Sequence, residues 1–383
     1  MTSAETSLSD EPATQERRRG PFRRLGGAMR WLLLAFAAIS LIYFGYLFYL
    51  YSLFHGRDLS YPQEVLSRYM LESRIIGPGE PVIPVEAVDT ADGECRPSAT
   101  VAMQVAVIDY MAVQNAWVPA RPLYKLGFFG LVDFEDTPWF DNKASEQKGM
   151  LDISRRTGIE MVDSLGRIRG SSLENPQLSS AQSSLQIDEN AWFVNNPFNP
   201  QVNTISPSAA SSYASAIPLY QRYNRDLAAC EATFDTRADN LRAVLSRFTA
   251  TLGATTAELE ARSKAWVYDP ATDRLVRGEG NNLGWFDFRA DNYFHRARGQ
   301  MYALHGILQG MRVDFGQVIT DRNVDEVWDK MEATIGEAAM MDPWITSNGA
   351  NDSTFVPDHL TAMAEMILRA RTAMVEIRDI LAS

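Results

Sequence analysis

Tyr213 to Gly253 reads YASAIPLYQRYNRDLAACEATFDTRADNLRAVLSRFTATLG. Large or apolar residues recur there every seven positions, at Tyr213, Tyr220, Leu227, Phe234, Leu241 and Phe248. A second series follows four residues after each, at Ile217, Asn224, Glu231, Ala238, Leu245 and Leu252. Ten of these twelve positions are apolar, the pattern of a coiled-coil-like seam. It predicts one long helix starting near Ser206-Pro207, kinked at Pro218 and ended by Gly253. At ~1.5 Å per residue such a helix runs about 65 Å.

Helical spacing continues on both sides. It predicts helices over 98–116 and 143–165, the second stopped by Gly166, and a short one opened by Asn175-Pro176. Further helices are expected over 255–267, 287–312, 323–341 (with Asn323 and Glu326 as a capping box) and 358–381. Residues 119–142 hold three prolines and two glycines and read as an irregular, aromatic-rich segment. Val and Ile do not alternate in runs, so no sheet dominates. The predicted class is mainly α: one N-terminal transmembrane helix and an elongated helical bundle containing the long coiled-coil-like helix.

The membrane helix is read from WLLLAFAAISLIYFGYLFYLYSLF, Trp31–Phe54, 24 residues without a charge. At ~1.5 Å per residue it reaches about 36 Å, more than a hydrocarbon core of about 30 Å. A cleaved signal peptide would have a shorter apolar core and small residues at its end; here the end is bulky and aromatic. Six arginines within residues 1–30 (Arg17, Arg18, Arg19, Arg23, Arg24 and Arg30) face four acids and keep that side in the cytoplasm. The expected division is 1–30 cytoplasmic, disordered and then Arg-rich; 31–54 transmembrane; 55–96 a stalk, with a short helix from Ser60-Tyr61-Pro62; and 97–383 an extracytoplasmic helical domain.

Net charge is −12, and beyond Arg30 there are 30 basic against 44 acidic residues. An outer part so acidic excludes nucleic acid, whose phosphates need a basic face.

FDTRADN (Phe234–Asn240) returns as FDFRADN (Phe286–Asn292). Phe234 and Ala238 fall on one helical stripe, as do Phe286 and Ala290, with Asp235, Arg237, Asp287 and Arg289 flanking it. If the two helices pack antiparallel, Arg237 meets Asp287 or Asp291, and Arg289 meets Asp235 or Asp239, in reciprocal ion pairs. The sharper alternative is a metal site, since Asp235, Asp239, Asp287 and Asp291 form two i,i+4 carboxylate pairs able to hold Ca²⁺, Mg²⁺ or Mn²⁺. An arginine in each copy and the absence of a Glu-x-x-His spacing favour the ion pairs.

The remaining candidates are weaker. DSLGRIRGSS (Asp163–Ser172) puts Arg167, Arg169, Ser171 and Ser172 on a turn that can hold a phosphate or carboxylate, or can simply cap a helix. Cys95 and Cys230 are the only cysteines; they form a disulfide outside the cell, or remain a free Cys95 and a buried thiol at Cys230. His295, four residues after Asp291, is expected on the solvated surface, and His305 on another face. Ser145–Lys148 matches S-x-x-K, but no K-T-G accompanies it, so a helix cap is the better reading. Trp117, Phe128, Phe129, Trp139 and Phe140 are candidate partner contacts.

LDISRRTGIEMVDSLGRIRGSS, YNRDLAACEATFDTRADNL and WFDFRADNYFHRARGQMYAL, in that order, resemble a bacterial family known as domain of unknown function 2333. The resemblance spans roughly 60–380 and implies a single-pass protein of the inner membrane with its bulk in the periplasm. It supplies no catalytic residue and no cofactor. The function expected is interaction or scaffolding in the cell envelope, with a protein or cell-wall partner; the alternative is a metal-dependent or acid–base envelope enzyme using the paired aspartates. A seam can bury itself within one chain or between two, so a homo-oligomer is compatible with it.

Overall fold

The computed structural model describes residues 21–68, 77–79, 95–120, 140–167, 173–191, 207–264, 266–277, 289–349 and 354–382. The chain divides into two units, at Phe54 and His55.

The first unit holds α1 (Pro21–Ser52), one helix whose Met29–Tyr49 stretch is long and apolar enough to cross a membrane. Its large apolar side chains, from Trp31 to Tyr51, are mostly exposed.

Among the described residues the second unit is helical apart from one hairpin. Its elements are α2 (Tyr61–Arg68), α3 (Ala99–Asp109), α4 (Asp141–Glu160), α5 (Pro176–Leu185), α6 (Ala209–Ala228), α7 (Ala238–Ser263), β1 (Trp266–Asp269), β2 (Arg274–Arg277), α8 (Ala290–Asp314), α9 (Gly316–Asp321), α10 (Asp325–Met340) and α11 (His359–Leu381). Both α3 and α4 end in a wide turn, closed by Asn115 N–H on the Tyr110 carbonyl (3.2 Å) and by Gly166 N–H on the Met161 carbonyl (2.7 Å). These are i→i+5 bonds, the mark of a π-turn.

The centre is α8, with 20 of its 25 residues buried. It packs against α3, α4 and α10, while α7 packs chiefly on α11 and α5 on α6. Glycines allow the close approaches. A Cβ on Gly299 would stand 2.0 Å from the Glu146 carbonyl of α4, and one on Gly310 would stand 2.8 Å from Thr100 Cα of α3. The end of α8 also caps the start of α3: buried Asp314 accepts from Ser98 Oγ (2.6 Å), Ala99 N (2.9 Å) and Thr100 N (2.8 Å). Those amides are among the donors that a helix leaves unpaired at its own N-terminus.

The seam is apolar as expected, but two helices carry it. Tyr213, Tyr220, Leu227, Phe234, Leu241 and Phe248 are all buried. Yet α6 stops at Ala228 and α7 begins at Ala238, and Gly253 lies inside α7. The break sits at Cys230, which has φ 60° and so cannot continue a right-handed helix. The helix expected over 255–267 is the last part of α7. Asn175 caps α5 as read, accepting from Gln177 N and Leu178 N. Asn323 is not a cap: its φ is 54°, and α10 starts at Asp325 behind Val324. The hairpin of β1 and β2 was not expected; it pairs Trp266 with Arg277 and Tyr268 with Leu275.

Candidate functional site

A cluster of buried polar side chains lies where the second unit begins. Residues 55–61, the start of the segment read as a stalk, are bonded to the helical body. His55 N–H donates to Asn115 Oδ1 (2.9 Å), and Tyr110 Oη donates to the His55 carbonyl (3.1 Å). Tyr302 Oη donates to the Asp58 carbonyl (3.1 Å), and Tyr61 Oη to the Tyr302 carbonyl (3.3 Å). The Tyr302 ring stacks between the other two, 5.1 Å from Tyr61 and 5.2 Å from Tyr110. Gly306 makes room, because a Cβ there would meet Tyr61 Oη.

Between these contacts lies a square of alternating charge. Glu146 Oε2 receives Arg57 Nη1 (3.5 Å) and Arg298 Nη2 (3.2 Å), and Asp342 Oδ1 receives Arg57 Nη2 (3.2 Å) and Arg298 Nη1 (2.5 Å). The Arg298 and Glu146 side chains are each 5% exposed and Arg57 12%, whereas Asp342 is 65% exposed. Burial opposes ionisation of Asp342, but Arg298 and Arg57 outweigh it and hold the carboxyl below its ordinary value. Lys143, bonded to Tyr110 Oη at 3.5 Å, is lowered by burial and by Arg57 and Arg298, against Glu146.

His295 sits beside this square, one helical turn before Arg298. It is buried, not solvated as expected, and burial followed by Arg298 and Arg57 drives its pKa well below 6.5. It is therefore a neutral imidazole. Its Nδ1, Glu146 Oε1, Arg57 Nε and Arg298 Nε are buried and make no hydrogen bond among the described residues. The arrangement can clamp the 55–61 segment, with two guanidiniums forking onto two carboxylates.

The repeated heptapeptide has another role. Each copy lies at a helix start: Arg237 immediately precedes α7 and Arg289 immediately precedes α8. Arg237 Nε bonds both oxygens of its own Asp235 at 3.0 Å, with Nη2 on Oδ2 at 2.6 Å, and Asp239 is 3.9 Å away. Arg237 thus has a partner within its own motif, in the chain that precedes α7. Asp291 lies in the first turn of α8, and Asp287 lies outside the described residues. Among the described residues no three His, Cys, Asp or Glu side chains are grouped to hold a metal.

Arg167 Nε donates to the Asp163 carbonyl (2.9 Å), a helix-capping contact, while Arg169, Ser171 and Ser172 lie outside the described residues. Cys95 and Cys230 form a disulfide, Cα–Cα 5.3 Å. Ser145 Oγ donates to Asn292 Oδ1 (3.2 Å) and Lys148 pairs with Glu189 (3.5 Å), so they point to different partners. Trp117 and Phe140 are core residues, with Trp117 donating to the Glu189 carbonyl; Phe128, Phe129 and Trp139 lie outside the described residues. Ser347 and His359 resemble a catalytic pair at 3.0 Å. However, Ser347 is fully buried, its N–H donates to His359 Nδ1 and its Oγ lies 2.8 Å from the Pro357 carbonyl.

The four members of the square are far apart in sequence and carry no motif. The one signal was indirect: Arg298 immediately precedes Gly299, and glycines at 299, 306 and 310 line one helix.

Residues 123–383 match the model of a family described as "Uncharacterized protein conserved in bacteria", domain of unknown function 2333. The chain belongs to this family. No curated protein and no solved structure matches it. In this member of family 2333 the matched segment holds Glu146, Arg298 and Asp342, and Arg57 lies before it. The square therefore joins the family segment to the residues that follow the apolar helix.

Proposed function

We propose that the protein is anchored in the bacterial inner membrane by α1, with residues 1–30 in the cytoplasm and the helical unit in the periplasm, where it serves as an interaction or scaffolding protein. The arginine excess over residues 1–30, ahead of the uncharged stretch of α1, supports this orientation. So does the Cys95–Cys230 disulfide, a bond that persists in an oxidising compartment. The observation that carries the scaffolding role is the square of Arg57, Glu146, Arg298 and Asp342. These ion pairs tie the segment after α1 to the body, and His295 beside them is buried. A segment held in this way makes the helical unit one body from its first residues, with its surface available to a partner. A protein or wall component is the partner class, and an acidic body suits neither DNA nor RNA.

Protease added to spheroplasts tests the topology. It should degrade the part after His55 and leave a small membrane-bound fragment; full protection until lysis would reverse the orientation. Photo-crosslinkers placed at exposed positions of the helical unit in living cells test the role. Discrete adducts confined to one face are expected, and adducts at no position would remove the scaffolding reading.

A further inference from the structure

The loop between α10 and α11 displays the two most exposed aromatic side chains among the described residues, Trp344 (97%) and Phe355 (86%), with Ile345 beside them. This exposure is imposed by a built loop. Ser347 and Asn348 are buried at its base, Gly349 N–H donates to the Pro357 carbonyl (3.1 Å), and Asn348 bridges to Asp358. The same base is tied to the end of α7: Asn348 Nδ2 donates to the Arg262 carbonyl (3.1 Å), and Thr361 Oγ1 bonds Ser263 Oγ (3.2 Å). Three residues beyond Ser263 the hairpin begins, and it exposes Trp266 and Tyr268 on one face.

This end of the unit is also where the tether arrives. Asp342, two residues before Trp344, is bonded to Arg57 at 3.2 Å. Arg57 is five residues past Ser52, the last residue of α1. Five residues span at most about 17 Å. The loop base is thus within a short reach of wherever the chain leaves the membrane.

We propose that Trp344, Ile345 and Phe355, together with Trp266 and Tyr268, make a second, interfacial contact with the lipid bilayer that α1 spans. This rests on the reading of α1 as an anchor. Trp and Tyr favour the headgroup level, where the ring is half-dehydrated and its polar atom stays wet. At 97% exposure Trp344 touches almost no neighbour, so it belongs to no packed patch of the kind a protein partner covers. A fluid surface accommodates such a side chain singly. The contact would fix the orientation of the unit on the membrane.

The test uses the full chain in liposomes of phosphatidylethanolamine and phosphatidylglycerol. Both native cysteines are in the disulfide, so one introduced cysteine takes a fluorophore. Ile345→Cys is compared with Leu41→Cys within α1 and with Ser183→Cys, an exposed position on α5, which carries no aromatic residue. A nitroxide on the upper acyl chain should quench the label at 345 on the order of threefold more than the label at 183. Adding Trp344→Ala and Phe355→Ala should remove most of that difference. Quenching at 41 but equal, weak quenching at 345 and 183 would overturn the contact and leave the anchor standing. No quenching at 41 would overturn the anchor and this inference together.

Discussion

Gly149 of α4 and Gly299 of α8 face each other's helices. A Cβ on Gly149 would lie 2.0 Å from the Arg296 carbonyl oxygen, and one on Gly299 would lie 2.0 Å from that of Glu146. Both obstacles are backbone, so neither can rotate away, and a methyl at either position must push the helices apart. Gly299→Ala should therefore cost at least about 3 kcal/mol, through overpacking at the centre of the unit. The melting temperature should fall on the order of 5–10 °C. Gly253→Ala is the contrast. Its Cβ would meet only the Arg371 side chain, nearest at Nε (3.2 Å), which has to give by a few tenths of an ångström while keeping its bond to the Thr249 carbonyl. There the helix-propensity gain of about 1 kcal/mol acts, and stability should hold or rise slightly. Thermal melts of the two variants in detergent check the pair; equal melting temperatures would mean the crossing is not tight.

The disulfide closes a loop of 135 residues, between Cys95 and the break after α6. In the chain-entropy model a loop of that size is worth about 5 kcal/mol. Cys95→Ser with Cys230→Ser, or reduction by dithiothreitol, should lower the urea midpoint by the corresponding amount. Reductant should have no effect on the double variant. Thiol labelling of the wild type under denaturing, non-reducing conditions should find no free cysteine.

The apolar helix, the mainly helical class and the burial of the seam were legible because each rests on local periodicity. α8 and α11 were placed within a few residues on the same ground. What failed depends on tertiary partners. The first series keeps its phase from Leu227 through Phe234 to Leu241, and only Glu231 in the second series interrupts the pattern where Cys230 turns the chain. Phe234 keeps its phase by packing on Phe315 from an extended segment, which a helical wheel cannot distinguish from a helical turn. The first copy of the repeated motif reads as the middle of a long helix because its register fits one; only the structure shows that it starts a helix, as the range 287–312 already implies for the second. Arg57, Glu146, Arg298 and Asp342 could not be grouped from sequence at all, since nothing local relates residue 57 to residue 342.

The charged square makes its own prediction. Arg298→Met removes a guanidinium from two carboxylates and leaves Glu146, 5% exposed, with Arg57 alone at 3.5 Å. Breaking a buried pair from one side costs roughly 3–5 kcal/mol. Arg298→Met combined with Glu146→Leu should recover a large part of that, because no unpaired buried charge remains. Asp342→Asn should cost no more than about 1 kcal/mol, since its carboxylate is largely in water. Urea unfolding of the three variants gives the order, and a double variant as unstable as Arg298→Met would show that packing, not charge, holds the segment.

His295 gives the protein an acid limit. Burial, with Arg298 and Arg57 nearby, lowers its folded-state pKa well below 6.5, whereas the unfolded chain protonates it near that value. Below about pH 6.5 the unfolded state therefore binds a proton that the folded state refuses. The stabilisation is complete above the unfolded value and is lost as pH falls from there toward the folded one. His305 and His359, both lowered chiefly by burial, act in the same direction. Asp314 and Glu160 oppose them, because burial raises their carboxyl pKa values and acidification then favours the folded state. A difference between proteins separates the two effects. His295→Gln keeps the carboxyls and removes the imidazole, so its melting temperature should fall less steeply between pH 7.5 and 5.5 than that of the wild type. The imidazole signal of His295 in the folded protein should not titrate over that range. Parallel slopes for wild type and variant would show that His295 is protonated alike in both states.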